Sequence, residues 1–219
     1  MPQLLTNYHI KLLAALLMLI DHVGAILLPE LTLLRVIGRL SFPLFAWLLV
    51  QGEAHTRSVH KYALRLLGLG LISQPIYMAA FQVSRPNILF TLLLGLICLR
   101  LVRAFPRWQL TVWVGGGLIA TAAHLEYGSY GIAVIALIRY FKPHWLWLAA
   151  WIGLHLLISV VSPDSSSQIW AVSTALLMGM TNQQRGAKAR WFYWFYPLHL
   201  LILVLIRSAV QQGVLELNF

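Results

Sequence analysis

The sequence predicts an all-α protein, a polytopic bundle of about nine membrane-spanning helices with a cytoplasmic N-terminus, and three observations predict it. Of 219 residues, 60% are hydrophobic and only 10% charged, with a mean hydropathy of +0.78, whereas soluble domains carry about a quarter charged residues. Apolar windows of 15–22 residues recur along the whole length, which leaves no room for a soluble domain and implies one transmembrane domain over 1–219. The basic residues fall in alternate short connections, the pattern that sets membrane orientation.

Taken in order, the candidate spans are 8–28, 33–50, 61–82, 87–104, 108–124, 128–141, 145–161, 168–181 and 191–210, with eight or ten as neighbouring counts. The sixth and eighth are shorter than the ~20 residues of a full crossing, so they read as tilted, partly re-entrant or thin-membrane segments. Connections after the even-numbered spans carry Arg57 and Lys61, with Arg65 just inside the next span, then Arg100, Arg103 and Arg107, then Arg139 and Lys142, then Arg185, Lys188 and Arg190, which is 11 of the 16 Lys+Arg. The connections after spans three, five and seven offer only Arg85, Glu126 and Asp164, respectively. The positive-inside rule then places the N-terminus in the cytoplasm and, for nine spans, the C-terminus outside. Pro29, Pro106, Pro143 and Pro163 sit in connections, where a missing amide donor does no harm. Trp108, Trp145, Trp147, Trp170, Trp191 and Trp194 sit near span ends, as an aromatic belt requires.

The same features exclude other classes. A net charge of +10 without a basic arm or helix face argues against nucleic acid as a partner. Cys98 is the only cysteine, so no internal disulfide and no Cys-rich metal site can form, and it reads as a small buried apolar residue. The first span reads as retained, because Asp21 and His22 fall where a cleavable signal wants uncharged residues. No Ser-His-Asp order, Walker loop, HExxH or dinucleotide fingerprint is present, and the scattered histidines imply no metal.

Chemistry concentrates around the first span. Lys11 and His22 are separated by three helical turns plus roughly 20°, on one face and about 16 Å apart along the axis. Asp21 points about 80° away. In the second span Arg35 and Arg39 share a face at the depth of Asp21 and His22, which allows an Asp–Arg pair beside a histidine in a polar pocket. A buried ion pair that merely holds two helices is the competing reading. Gln51 to Arg57, including His55, with Lys61 and Arg65 reads as a polar loop able to grip an anionic ligand. Tyr196 and His199 share a face of the last span around Pro197. Glu126, with His124 and Tyr127, stands at the outer end of the fifth span, where an acceptor contact competes with an ordinary solvated turn.

The stretches MLIDHVGAIL (18–27), LRVIGRLSFPLFAWLLVQG (34–52), HTRSVHKYALRLL (55–67), NILFTLLLG (87–95), YGSYGIAV (127–134) and RGAKARWFYWFYPLHL (185–200) together resemble the TraX family, named for the acetylase of the conjugative F pilus. The resemblance spans nearly the whole chain in order. It implies a multi-pass bacterial inner-membrane acetyltransferase that uses acetyl-CoA, without a metal, on an amine or hydroxyl of an acceptor protein or glycan such as pilin. It also looks related to the wider class of transmembrane acyltransferases, in which a basic residue, ten intervening positions and a histidine mark the first helix. Here that pattern reads Lys11 and His22, so the resemblance implies a catalytic role for His22 only; in the mechanism built on it Asp21 or Arg39, from their depth beside it, would orient His22 or stabilise developing charge.

On this reading Lys11, His55, Arg57, Lys61, Arg65, Arg185 and Lys188 supply the acetyl-CoA contacts. Arg35, Tyr196, His199 and Glu126 supply acceptor contacts. Transfer is either direct or through an acetyl-His intermediate. The family pattern carries acidic residues where this chain has Gln51 and Gln74. A carrier or channel with an intramembrane Asp/His/Arg path, and a non-catalytic assembly scaffold, are the alternatives from other classes.

Overall fold

The computed structural model describes residues 4–214, apart from the side chains of residues 163–165, so the charge of Asp164 and the chain end beyond residue 214 lie outside the described residues. It is all-helical, with α1 (Asn7–Ile26), α2 (Thr32–Gly38), α3 (Ser41–His55), α4 (Val59–Phe81), α5 (Ile88–Ala104), α6 (Gln109–Ala122), α7 (Gly128–Arg139), α8 (Trp145–Val161), α9 (Thr174–Gly179) and α10 (Phe192–Gln211). Extended pairing among the described residues is limited to one isolated parallel bridge, Leu5 to Thr181. Four stretches are long and apolar enough to cross a membrane: Asn7–Ile26, Thr32–His55, Val59–Phe81 and Phe192–Gln211. The protein is a membrane protein.

α1 lies between two apolar clusters. One is centred on Ile10, Leu44, Trp47, Leu96, Ile135 and Trp151 of α1, α3, α5, α7 and α8. The other joins Met18 and Ile26 to Tyr77 of α4 and Leu200 and Leu203 of α10. The start of α1 is pinned by the segment before α10. Leu5 exchanges backbone bonds with Met180 and Asn182, and the Asn7 amide donates to the Gln184 carbonyl at 2.8 Å. Asn7 Nδ2 donates to the Gln183 carbonyl and Trp47 Nε1 donates to Asn7 Oδ1.

The expected second span is broken rather than continuous, α2 ending at Gly38 and α3 starting at Ser41. Gly38 is a weak helix former, and Pro43 has no N–H to bond back to the Arg39 carbonyl, so the chain restarts there with the proline in a first turn. Gly38 also packs directly on the Asp21 side chain, and Gly24 on Leu34, which brings α2 onto α1.

The expected polar loop at Gln51–Arg57 is also corrected, since Gln51 to His55 continue α3. Glu53 stabilises this polar end, accepting from Arg100 at 3.0 Å and Arg103 at 2.7 Å of α5. The eighth expected span is a 3-10 segment, Pro163–Ser173, followed by the six residues of α9. A 3-10 rise of about 2.0 Å per residue lets these 17 residues cover about 31 Å, which an α-helix of that length would not. Trp147 is corrected from the aromatic belt to the core, stacked on Trp151 at 5.2 Å and donating to the Leu137 carbonyl at 2.8 Å. Trp108, Trp145, Trp170, Trp191 and Trp194 are exposed, and Cys98 is buried.

Candidate functional site

Two cavities meet along α1. The larger, about 1040 Å³, collects the basic residues at the N-terminal end of α1: Lys11, His55, Arg57, Arg65 and Arg185 all line it. Lys61 and Lys188 do not. Arg185 reaches the wall because the bridge at Thr181 lays residues 181–186 across the start of α1. Lys11 Nζ stands 5.9 Å from the centre of the Phe192 ring. Arg65 donates to Tyr193 Oη and to the Lys61 carbonyl, both at 3.1 Å. His55 Nδ1 donates to the Gln51 carbonyl at 2.8 Å.

The smaller cavity, about 330 Å³, lies at the other end and is lined by Asp21, His22, Arg35, Arg39, Arg85, Glu126, Tyr127 and Tyr196 among others. Met18, Phe45, Ile88 and Tyr196 line both cavities. Lys11, Met18 and His22 therefore mark one face of α1 that runs from the first cavity into the second.

Arg35 donates to Asp21 Oδ2 at 2.6 Å and to the Asp21 carbonyl at 3.1 Å. Asp21 Oδ1 is buried without a partner. This carboxylate clamps α1 to α2 and does not orient the histidine; nor does Arg39, whose Nε donates to Ser167 Oγ at 3.0 Å. His22 is oriented by His199 of α10. His22 Nδ1 and His199 Nε2 are 2.7 Å apart, and His199 Nδ1 lies 2.6 Å from the Phe195 carbonyl. The rings of His22 and His199 are nearly coplanar and meet edge to edge, 5.0 Å between centres and 12° between planes, as a hydrogen bond in the ring plane requires.

A carbonyl can only accept, so His199 Nδ1 carries a proton. In the neutral pair His199 Nε2 then accepts, His22 Nδ1 donates, and the lone pair of His22 is left on Nε2. The edge of His22 faces Phe81 at 5.0 Å. His199 is buried and lines neither cavity, so it acts on a ligand through His22.

Glu126 and Tyr127 face the smaller cavity instead of forming a solvated turn, while His124 is exposed. The Glu126 carbonyl accepts from Thr91 Oγ1 at 2.6 Å. Burial pushes its carboxyl above the usual range, with Arg85 and Tyr77 pulling the other way. Tyr127 takes a left-handed conformation, φ 65°, and stacks on Phe42 at 4.1 Å. Such a backbone is uncommon for a bulky residue, and the stacking holds it. Burial raises the Tyr127 phenol to about 12.

Arg85, Ser41 and Gln168 also line this cavity and were not singled out by sequence. Arg85 alone carried a signal, a cation in a connection where orientation asks for none. Gln74 proves to be a joint of the α4–α5 turn: Oε1 accepts from the Asn87 amide and Nδ2 while Nε2 donates to the Arg85 carbonyl. A carboxylate could not make the last bond. Among the described residues no group of three or more His, Cys, Asp or Glu is placed to hold a metal.

Comparison with known proteins adds a family pattern. The family described as "TraX protein" matches residues 7–207. A probable fimbrial assembly protein, FimC of serogroup H1 from Dichelobacter nodosus, is 28% identical over 93% of this chain and 96% of its own length. Protein TraX of Escherichia coli is 28% identical over 89% of this chain and 84% of its own. An uncharacterised protein of Rickettsia prowazekii (strain Madrid E), RP591, is 38% identical over 41% of this chain and 36% of its own. No solved structure matches.

Proposed function

Since the chain belongs to the TraX family, we propose that it is a pilus-related membrane acetyltransferase that moves an acetyl group from cytoplasmic acetyl-CoA to an amine at or beyond the outer part of the membrane. The observation that carries this reading is His22, which lines the smaller cavity one turn beyond Met18, a residue that lines both, and is bonded to His199 behind it. The larger cavity is the donor site, where Lys11, Arg57, Arg65 and Arg185 face the phosphates of acetyl-CoA and the pantetheine arm points along α1 toward His22. The smaller cavity is the acceptor site.

His22 Nε2 takes a proton from the acceptor amine as the N–C bond to the acetyl carbon forms and the C–S bond breaks. The proton then goes to the departing thiolate, so the pair returns to neutrality. The proposal places the protein in a bacterial inner membrane as a single domain with nine crossings and a cytoplasmic N-terminus, the stretched 3-10 crossing being the eighth. The names of the two long relatives, one a fimbrial assembly protein, support a pilin-type acceptor.

Purified wild-type protein should acetylate an amine acceptor from labelled acetyl-CoA, and His22→Ala should abolish transfer, a loss of about 10²-fold or more, without loss of the folded detergent-solubilised state. His199→Phe should lower turnover sharply and His199→Gln, whose amide oxygen can accept from His22 Nδ1, should restore part of it. Near-normal turnover of His22→Ala overturns the assignment. Solute flux through liposomes in the absence of acetyl-CoA turnover would favour a carrier instead.

A further inference from the structure

Eleven of the 16 Lys+Arg fall in or beside the alternate connections that set orientation, yet Arg35, Arg39 and Arg85 converge on the cavity of about 330 Å³. Orientation does not explain them, and an arginine at membrane depth costs about 2.5–3.5 kcal/mol on insertion scales. Arg35 is committed to Asp21. Arg39 and Arg85 use only Nε, toward Ser167 Oγ at 3.0 Å and Tyr77 Oη at 3.2 Å. Among the described side chains their terminal N–H groups donate to nothing. Glu126 lines the same cavity, and its carboxylate forms no ion pair with either arginine among the described residues. Among the described residues the cavity thus offers two guanidinium ends without a hydrogen-bond acceptor and one carboxylate, beside Arg85 and Tyr77, that is in no ion pair.

We propose that this cavity binds the amino-terminal segment of a peptide that carries a carboxylate close to its free amine. Arg39 and Arg85 hold the carboxylate, and Glu126 faces the ammonium and delivers the amine toward His22. A ligand of both signs matches the lining, whereas an acidic sugar supplies only the negative one and leaves Glu126 unmatched. The volume is at the small end of ligand pockets, enough for terminal residues of a chain and not for a folded surface. This inference rests on the acceptor-site reading above, so its test reads binding separately from chemistry.

The probes are two C-terminally amidated tripeptides with free amines, Ala-Glu-Gly and Ala-Gln-Gly, titrated by saturation-transfer NMR against the full-length protein in detergent without acetyl-CoA. The Glu peptide should bind about tenfold tighter than the Gln peptide, the yield of one added charge-assisted contact. Arg85→Gln should erase that preference. Arg39→Gln should do the same, and Arg85→Lys should keep part of it should the neutral variants fail to fold. N-acetylation of the Glu peptide should weaken binding in wild type but not in Glu126→Gln.

Equal binding of the two peptides by wild type overturns the proposal, as does galacturonate binding tighter than either. Arginine variants that weaken acetyl-CoA binding instead would reassign the two arginines to the donor. Peptide preference without any acetyl transfer would sink the proposed chemistry and leave this site standing; acetyl transfer without peptide preference would do the reverse.

Discussion

Glu126 reaches the smaller cavity from the connection between α6 and α7, and its displaced titration has a consequence for stability. Burial raises its carboxyl in the folded protein above the ~4.3 of the unfolded chain. The folded state therefore holds the proton more tightly, and stability falls as pH rises from the unfolded value through the raised folded one. Glu126→Gln removes the buried anion. It should raise the thermal midpoint in detergent near pH 8 and give no gain below about pH 4. A gain that grew toward acid pH would contradict the sign. At this scale the sequence was informative about residue types and poor about partners. Lys11 and His22 on one face could be read from the helical period, and the pairing of His22 with His199 could not, since the two are 177 positions apart and no local spacing joins them. Arg35 takes Asp21 while Arg39, one helical turn on, meets Ser167 of a segment 128 positions away, a partner that no local spacing announces.

Among elements, the α1–α2 contact sets the site's floor. A Cβ at Gly38 would collide with the Asp21 side chain, whereas one at Gly68 of α4 meets nothing within 4 Å. Gly38→Ala should therefore destabilise the protein by about 1–3 kcal/mol through overpacking, and Gly68→Ala should be neutral or stabilise it by up to about 1 kcal/mol through backbone entropy. Chemical or thermal denaturation in one detergent distinguishes them; equal effects would mean that α2 is not seated on α1 as described. Hydropathy identified the long apolar elements because burial in lipid depends on composition alone. It found the second span, Thr32–His55, without its interruption between α2 and α3, and it could not tell the 3-10 backbone of the eighth from an α-helix, because neither feature changes apolarity. It also missed the helical end at Gln51–His55, whose polar residues stay helical only because Glu53 meets two arginines from α5.

For the whole molecule, the proposed orientation puts the basic cavity and the Arg107 turn in the cytoplasm and the His124 turn outside. With buried Cys98 as background, His124→Cys should react with a membrane-impermeant maleimide on intact spheroplasts. Arg107→Cys should react only after permeabilisation, and the reverse pattern would invert the bundle. The strap that ties Leu5 to Thr181, together with the bond from His22 to His199, also fixes an order of events during biosynthesis. α1 is translated well before these partners, since the Gln183 carbonyl that accepts from Asn7 and the His199 ring that meets His22 follow it by 176 and 177 positions. Until α10 arrives, His22 lacks the donor–acceptor chain that fixes its proton, so the proposed chemistry has to wait for that helix.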